Sequence, residues 1–315
     1  FSDSSSEGTS SSNVLTFRDD LSLSLGEIEP ESGPFFRNKG VFKPVPKGEN
    51  PEKWRKQYHE RPWPEGWSEW VKPEEVLNKT GYPKESAPNG GILIHHAWYV
   101  KMNELRLGFL NYLQLKGTSY LQSNADVDYD QSKIILTRNE SAKFDSLIHA
   151  EGIKSFEEQI WQYIPAHGIK GQMLQFEIDH SLEPNCAITN SGYAAKTAKL
   201  EWTVGSTYEH DYDNDNIDDL GALAVRKKAS RLLCSNHLTR APVKNHWAAI
   251  RVGTKDRQFV AGRHPLFKQH LLINGAGSKG LLHAPYAAKL LAELITKKRP
   301  DAGLWDIKRF AKYLE

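Results

Sequence analysis

Leu271-Leu272-Ile273-Asn274-Gly275-Ala276-Gly277-Ser278-Lys279-Gly280-Leu281 is the stretch whose reading decides the fold. Its apolar start reads as a strand over 271–274, and the apolar spacing beyond it reads as a helix over 281–296. Between the two, Gly275, Gly277 and Gly280 spell GxGxxG. Glycines let a backbone approach a ligand closely, and a helix N-terminus adds unpaired N–H groups and the positive end of its dipole. A strand before and a helix after is the context this fingerprint requires. The bland alternative is a tight strand-to-helix turn packed on a sheet. A standard dinucleotide unit continues into a second strand, with an acidic residue about 20 positions on. Here Glu293 lies inside the helix and no apolar strand follows it. The turn is therefore expected to face an anion or a polarised ring, and not to be the ADP-binding first βαβ.

Outward from the turn, His246–Val252 and Gln258–Ala261 read as strands, and Trp305–Leu314 as a last helix. Asn216 or Asp218 is placed to cap a helix running through Leu233. Alternation in Met173–Ile178, Cys186–Thr189 and Ala198–Val204 predicts antiparallel strands. Ser119–Gln122, Lys133–Thr137 and Ser146–Ala150 read as short apolar strands. Tyr99 to Leu115 carries apolar residues at helical spacing, and Gly117 ends it. Pro51–Glu60 and Pro73–Lys79 read as short helices, each opened by a proline whose missing N–H costs nothing there. Trp54, Trp63, Trp67 and Trp70 read as local packing under a loop. The serine-rich, Pro/Gly-rich first 50 residues show no periodicity.

The chain has 315 residues and is 39% hydrophobic, enough for a sizeable core in one large or two intertwined domains. A net charge of +2 gives no electrostatic footprint for nucleic acid or a membrane surface. Cys186 and Cys234 form neither a CxxC nor a disulfide framework, so a reducing, cytoplasmic setting is the simple reading. No run is long and apolar enough for a membrane span. The first residues lack the basic and apolar regions of a signal peptide, and without an initiator methionine the chain is expected to be a fragment or a processed product.

Three segments taken together, Arg251-Val252-Gly253-Thr254-Lys255-Asp256-Arg257, Gly262-Arg263-His264-Pro265 and Gly275 to Pro285, resemble the C-terminal signature of the D-amino-acid-oxidase-like FAD-dependent oxidoreductases. The Gly-Ser-Lys-Gly-Leu…Ala-Pro form is similar to glycine-oxidase-like enzymes and to the flavin domain of the bifunctional tRNA wobble-uridine modification enzyme. Phe144 to Gly152, Pro165 to Gln172 and Gly205-Ser206-Thr207-Tyr208-Glu209 fit the same family. Gly8 to Asn13 resembles its segment near the FAD pyrophosphate. The resemblance covers about 90–297 continuously, plus that patch.

The resemblance implies a mixed α/β fold: an FAD-binding Rossmann-like domain, incomplete at its N-terminus, interleaved with an antiparallel-sheet substrate domain. The expected parts are an irregular 1–50 with a remnant of the FAD domain, an FAD-domain part with a helical insert over 51–164, the substrate sheet over 165–250, and the rest of the FAD domain over 251–315. The family's N-terminal strand–GxGxxG–helix would lie just before Phe1, so this chain is expected to bind FAD weakly or not at all as it stands; residues 14–39 align with nothing. FAD is the cofactor implied. Its contacts would be Asp3, Ser10, Ser11, Ser12, Ala150, Gly152, Gly275, Gly277, Ser278, Lys279, Gly280 and Leu281. Arg251 falls where the family binds a substrate carboxylate, which a guanidinium fork suits. Lys279 falls where some members contact substrate or flavin. Outside the motif, Arg251 reads as a strand-end surface residue and Lys279 as a solvated lysine. The implied reaction is oxidation of the C–N bond of an amino acid or secondary amine by hydride transfer to flavin. A degenerate non-catalytic member and a flavin-dependent step in tRNA modification are the alternatives. His264 and His283 read as structural, His149 has no role, and the acidic run Asp211, Asp213, Asp215, Asp218 and Asp219 reads as a solvated turn and helix cap, since EF-hand positions are not met.

Overall fold

The computed structural model describes residues 36–38, 40–137, 140–178, 183–234, 240–296 and 302–314. The expected contacts at Asp3, Ser10, Ser11 and Ser12 lie outside the described residues, as do 14–35. In chain order the strands are β1 (Phe36–Asn38), β2 (Val41–Pro44), β3 (Ser68–Val71), β4 (Gly91–Ile94), β5 (Trp98–Val100), β6 (Asp126–Asp128), β7 (Lys133–Thr137), β8 (Glu140–Lys143), β9 (Leu147–His149), β10 (Ala166–Glu177), β11 (Ala187–Thr189), β12 (Tyr193–Ala198), β13 (Glu201–Gly205), β14 (Val243–Thr254), β15 (Val260–Arg263) and β16 (His270–Asn274). The α-helices are α1 (Pro51–Glu60), α2 (Val76–Thr80), α3 (Met102–Leu115), α4 (Asp219–Leu233) and α5 (Gly280–Ile295).

The chain forms two compact units. One combines Pro34–Leu105 with Lys170–Ala249, and the other combines Arg106–Ile169 with Ile250–Glu315. Residues 51–105 thus share a unit with 170–249, whereas the sequence reading groups them with 106–164. The reason is burial: Phe42, Val71 and Leu93 join Leu174, Phe176, Trp202 and Val204 in one core. The sheet carrying that core runs β14-β10-β13-β12-β11-β2-β4-β3. Its centre is antiparallel, with Phe176 opposite Trp202 and Leu174 opposite Val204, so alternate side chains of both strands enter the same core. Helix α4 covers it with Val225, Ala229 and Leu232. Asp218 caps α4 through the Gly221 N–H at 2.8 Å.

In the other unit, β16 lies between antiparallel β15 and parallel β9. Phe259, Ala261 and Leu271 pack against Ala287 and Leu291 of α5. Val260 and Leu272 pack with Trp161, Ile307 and Phe310 in a second cluster. Residues 119–122 are not a strand: among the described residues no strand pairs with them, and Tyr120 and Leu121 are exposed. The predicted helix over 99–115 begins only at Met102, because Tyr99 pairs with Arg37 in a strand. The predicted 198–204 strand is two strands, β12 and β13, paired antiparallel. Trp305 ends a short 3-10 turn, Gly303–Trp305, and a 3-10 helix follows over Ile307–Tyr313 in place of the expected α-helix.

Candidate functional site

The glycine turn takes its shape from backbone that only glycine adopts without strain. Gly275 has φ 74°, and a Cβ there would stand 3.2 Å from both Thr254 Cγ2 and Val260 Cγ2. Gly277 has φ 52°, but a Cβ there would meet nothing within 4 Å. Its N–H donates to the Val252 carbonyl of β14 at 2.8 Å. Lys279 is the N-cap residue of α5 and supplies no side-chain cap; its own N–H donates to the Ala276 carbonyl at 2.9 Å and the Leu282 N–H to the Lys279 carbonyl at 3.1 Å, which leaves the Gly280 and Leu281 N–H groups at the helix end for a ligand. Gly277, Ser278, Lys279 and Leu281 are exposed.

A second backbone edge lies beside the turn. Strand β9 ends at His149, Ala150 is exposed, and Gly152 has φ 64° with nothing within 4 Å of a Cβ position. Asn274, the last residue of β16, donates from Nδ2 to the Gly152 carbonyl at 2.7 Å and accepts the Gly275 N–H on Oδ1 at 2.8 Å. The structure therefore brings three predicted segments together in one unit: 150–152, 251–254 and 274–281. Two open glycine backbones and a helix end without a side-chain cap together make a backbone cradle.

The family described as DAO, FAD dependent oxidoreductase, matches residues 19–294. The chain belongs to this family. FAD is the cofactor its members use. Among curated relatives, a glycine oxidase of Pseudomonas aeruginosa is 26% identical over 175 residues, which is 55% of this chain and 48% of that protein. The chain thus spans about half the length of that relative. Among solved structures, the glycine oxidase of Geobacillus kaustophilus is similar with a TM-score of 0.76 and 18% identity, covering 98% of this chain and 84% of that one. The iminodiacetate oxidase of Chelativorans sp. BNC1 is similar with a TM-score of 0.75 and 15% identity, over 96% of this chain and 84% of that one. These structural likenesses carry the fold.

In this flavoprotein-family chain Arg251 is half-buried on β14, between Ile250 and Val252, with its side chain on the face that also carries Gly253 and His167. Lys279 is exposed at the mouth of the turn. Its charge, after burial, helps hold His283 below the ordinary histidine value. The His283 ring packs on Trp305 at 4.9 Å and Phe259 at 6.0 Å, so it serves packing. His264 is also structural: Nδ1 accepts the Leu266 and Phe267 N–H groups, each at 3.0 Å, so Nε2 donates to the Ile160 carbonyl at 2.8 Å.

Sequence reasoning missed two features here. One is the Asn274 bridge, whose only local signal is an asparagine before a glycine at a strand end. The other is a buried histidine pair, His149 Nε2 to His270 Nδ1 at 3.0 Å, with Glu151 3.4 Å from His149 Nδ1. Burial, then the neighbouring His149 and His264, push His270 down to about 4, so it is neutral at pH 7. Its partner is 121 residues away in the chain, beyond any sequence window. Asp218 of the acidic run is taken up by the helix cap and by an ion pair to Lys170 at 2.8 Å. No group of side chains suited to hold a metal is present among the described residues.

Proposed function

We propose that this chain is the flavin- and substrate-binding part of an oxidoreductase that oxidises the C–N bond of an amino acid or secondary amine. The observation that carries the reading is the cradle itself: two open, positive-φ glycines, Gly152 and Gly277, beside an uncapped helix N-terminus. Gly275, Gly277, Ser278, Lys279, Gly280 and Leu281 would hold the flavin on one side, and Ala150 and Gly152 on the other. The unit formed by 106–169 and 250–315 is the flavin unit in this reading, and the sheet of 34–105 and 170–249 the substrate unit.

When bound, the flavin supplies the two-electron acceptor that oxidation of a C–N bond requires. The chain's own groups do the rest. The α5 N-terminus stabilises negative charge through fixed N–H dipoles that need no reorganisation. Lys279 adds a full positive charge at the same end. Arg251 binds the substrate carboxylate bidentately and so fixes which C–N bond is presented. The free thiols of Cys186 and Cys234 fit a reducing, cytoplasmic setting. The names of the relatives, glycine oxidase and iminodiacetate oxidase, support a small amino-acid or secondary-amine substrate.

The test is to titrate the purified chain with FAD, then add α-amino acids and N-alkyl amino acids without oxygen. Weak uptake of FAD, and bleaching of its visible band by one of these substrates, is expected. A protein that takes up FAD but is bleached by none of them refutes the substrate class. Arg251→Lys should raise KM at least tenfold with kcat changed far less, because a point charge replaces a fork.

A further inference from the structure

The geometry points to Asn274 as a positioning residue that sets the spacing of the two backbone edges of the cradle; this rests on the flavin reading above. Asn274 has only 7% of its surface exposed, so its amide has no solvent alternative. It uses both ends of that amide at once. Nδ2 donates to the Gly152 carbonyl at 2.7 Å, and Oδ1 accepts the buried Gly275 N–H at 2.8 Å. A planar amide carries both groups on one rigid frame, so the two bonds fix the distance between a segment following β9 and the turn following β16. The parallel β9–β16 pairing ends before this point: its last partners are Leu272 and His149. Beyond them, the Asn274 side chain links the two segments.

The neighbours make the constraint one-sided. Gly275 is held on its other face by Thr254, Val260 and the Gln258 carbonyl at 3.2–3.3 Å from its Cβ position. Gly152 has no such neighbour within 4 Å. Without Asn274 the turn would keep its seat and the Gly152 segment would lose its fixed distance from it. Gly152 is also the more permissive of the two, with φ 64° and open space around it. Asn274 is itself buried and acts through the backbone of Gly152 and Gly275, which is why its role is positioning.

Asn274→Ala removes both bonds. It should weaken FAD binding roughly tenfold to a hundredfold, in line with loss of a supporting shell, and should broaden the visible flavin band. Asn274→Asp supplies a sharper readout. An ionised carboxylate keeps the Gly275 bond but faces the Gly152 carbonyl with a second oxygen, whereas a protonated one restores an O–H donor there. FAD affinity of Asn274→Asp should therefore recover as pH falls, and that of Asn274→Ala should not. Hydrogen exchange of flavin-free protein should show faster exchange over 152–156 in Asn274→Ala, with 275–280 much less changed.

Each result decides something. A wild-type chain that takes up no FAD overturns the flavin reading and the cofactor-positioning role with it. A wild-type chain that binds FAD, with Asn274→Ala binding it equally well, overturns the positioning role alone. Unchanged exchange over 152–156 in Asn274→Ala overturns the clamp itself, whatever FAD does.

Discussion

Replacing Asp218 separates two kinds of stabilisation that this carboxylate supplies at one point. Its Oδ1 caps α4 through Gly221 N–H at 2.8 Å, while Oδ2 takes Lys170 Nζ and Gln172 Nε2, each at 2.8 Å. The Lys170 side chain is 5% exposed, and its next carboxylate, Glu209, is 3.8 Å away. Asp218→Asn keeps a good N-cap but removes the charge beside a buried ammonium. Breaking a fully buried pair costs roughly 3–5 kcal/mol. Here Asp218 is 42% exposed and Glu209 remains, so solvent screening brings the expected loss to about 2 kcal/mol. Asp218→Ala also loses the cap, worth about 1 kcal/mol, for about 3 in total. Adding Lys170→Met to Asp218→Asn removes the stranded charge and should recover most of the first loss. The assay is urea unfolding followed by circular dichroism, comparing midpoints at constant m. The Lys170 hydrogen bond, then the Gly221 N–H, hold the Asp218 carboxyl down at about 2, against an ordinary 3.8. A depressed carboxylate contributes stability above its unfolded value and loses it as pH falls through the folded one. The wild-type advantage over Asp218→Asn should thus be full at pH 7 and shrink between about pH 4 and pH 2. An Asp218→Asn protein as stable as wild type at pH 7 would refute the reasoning.

Other consequences are direct. His270, held near 4 by burial against an ordinary 6.5, takes up its proton more readily when unfolded. Stability should therefore fall by about 2–3 kcal/mol as pH drops from about 6.5 to 4, and a His270→Phe variant should flatten that part of the urea-midpoint profile. Gly275→Ala should destabilise by about 2 kcal/mol or more, since the left-handed strain adds to the crowding at 3.2 Å. Gly277→Ala meets no neighbour and should cost about 1 kcal/mol of stability by the same urea assay, while FAD uptake falls much further. Burial pushes the Cys186 thiol up to about 12, so native protein should show one thiol, Cys234, to a disulfide reagent and a second only on unfolding.

The sequence by itself determined the elements with strong local signals. Helix α1 begins at Pro51, whose missing N–H costs nothing there, and α4 starts at Asp218, one of the two caps the sequence offers beside Asn216. The glycine turn before α5 was legible from its residue types, because glycine permits the positive φ that Gly275 and Gly277 adopt. The family followed from the order of motifs around it. Four-residue strands such as β2, β3 and β4 were not legible, because a run that short has no period of its own and is stabilised by the neighbours it pairs with. Their membership in the large sheet moved 51–105 into the unit of 170–249. The seating of Gly277 on Val252, the His149–His270 pair and the Asn274 bridge to Gly152 likewise needed the folded chain. Each joins segments tens to more than a hundred residues apart, and hydrogen bonds at such separations leave no local pattern. Residue type fixed which backbone could bend, and only tertiary packing decided what that bend was held against.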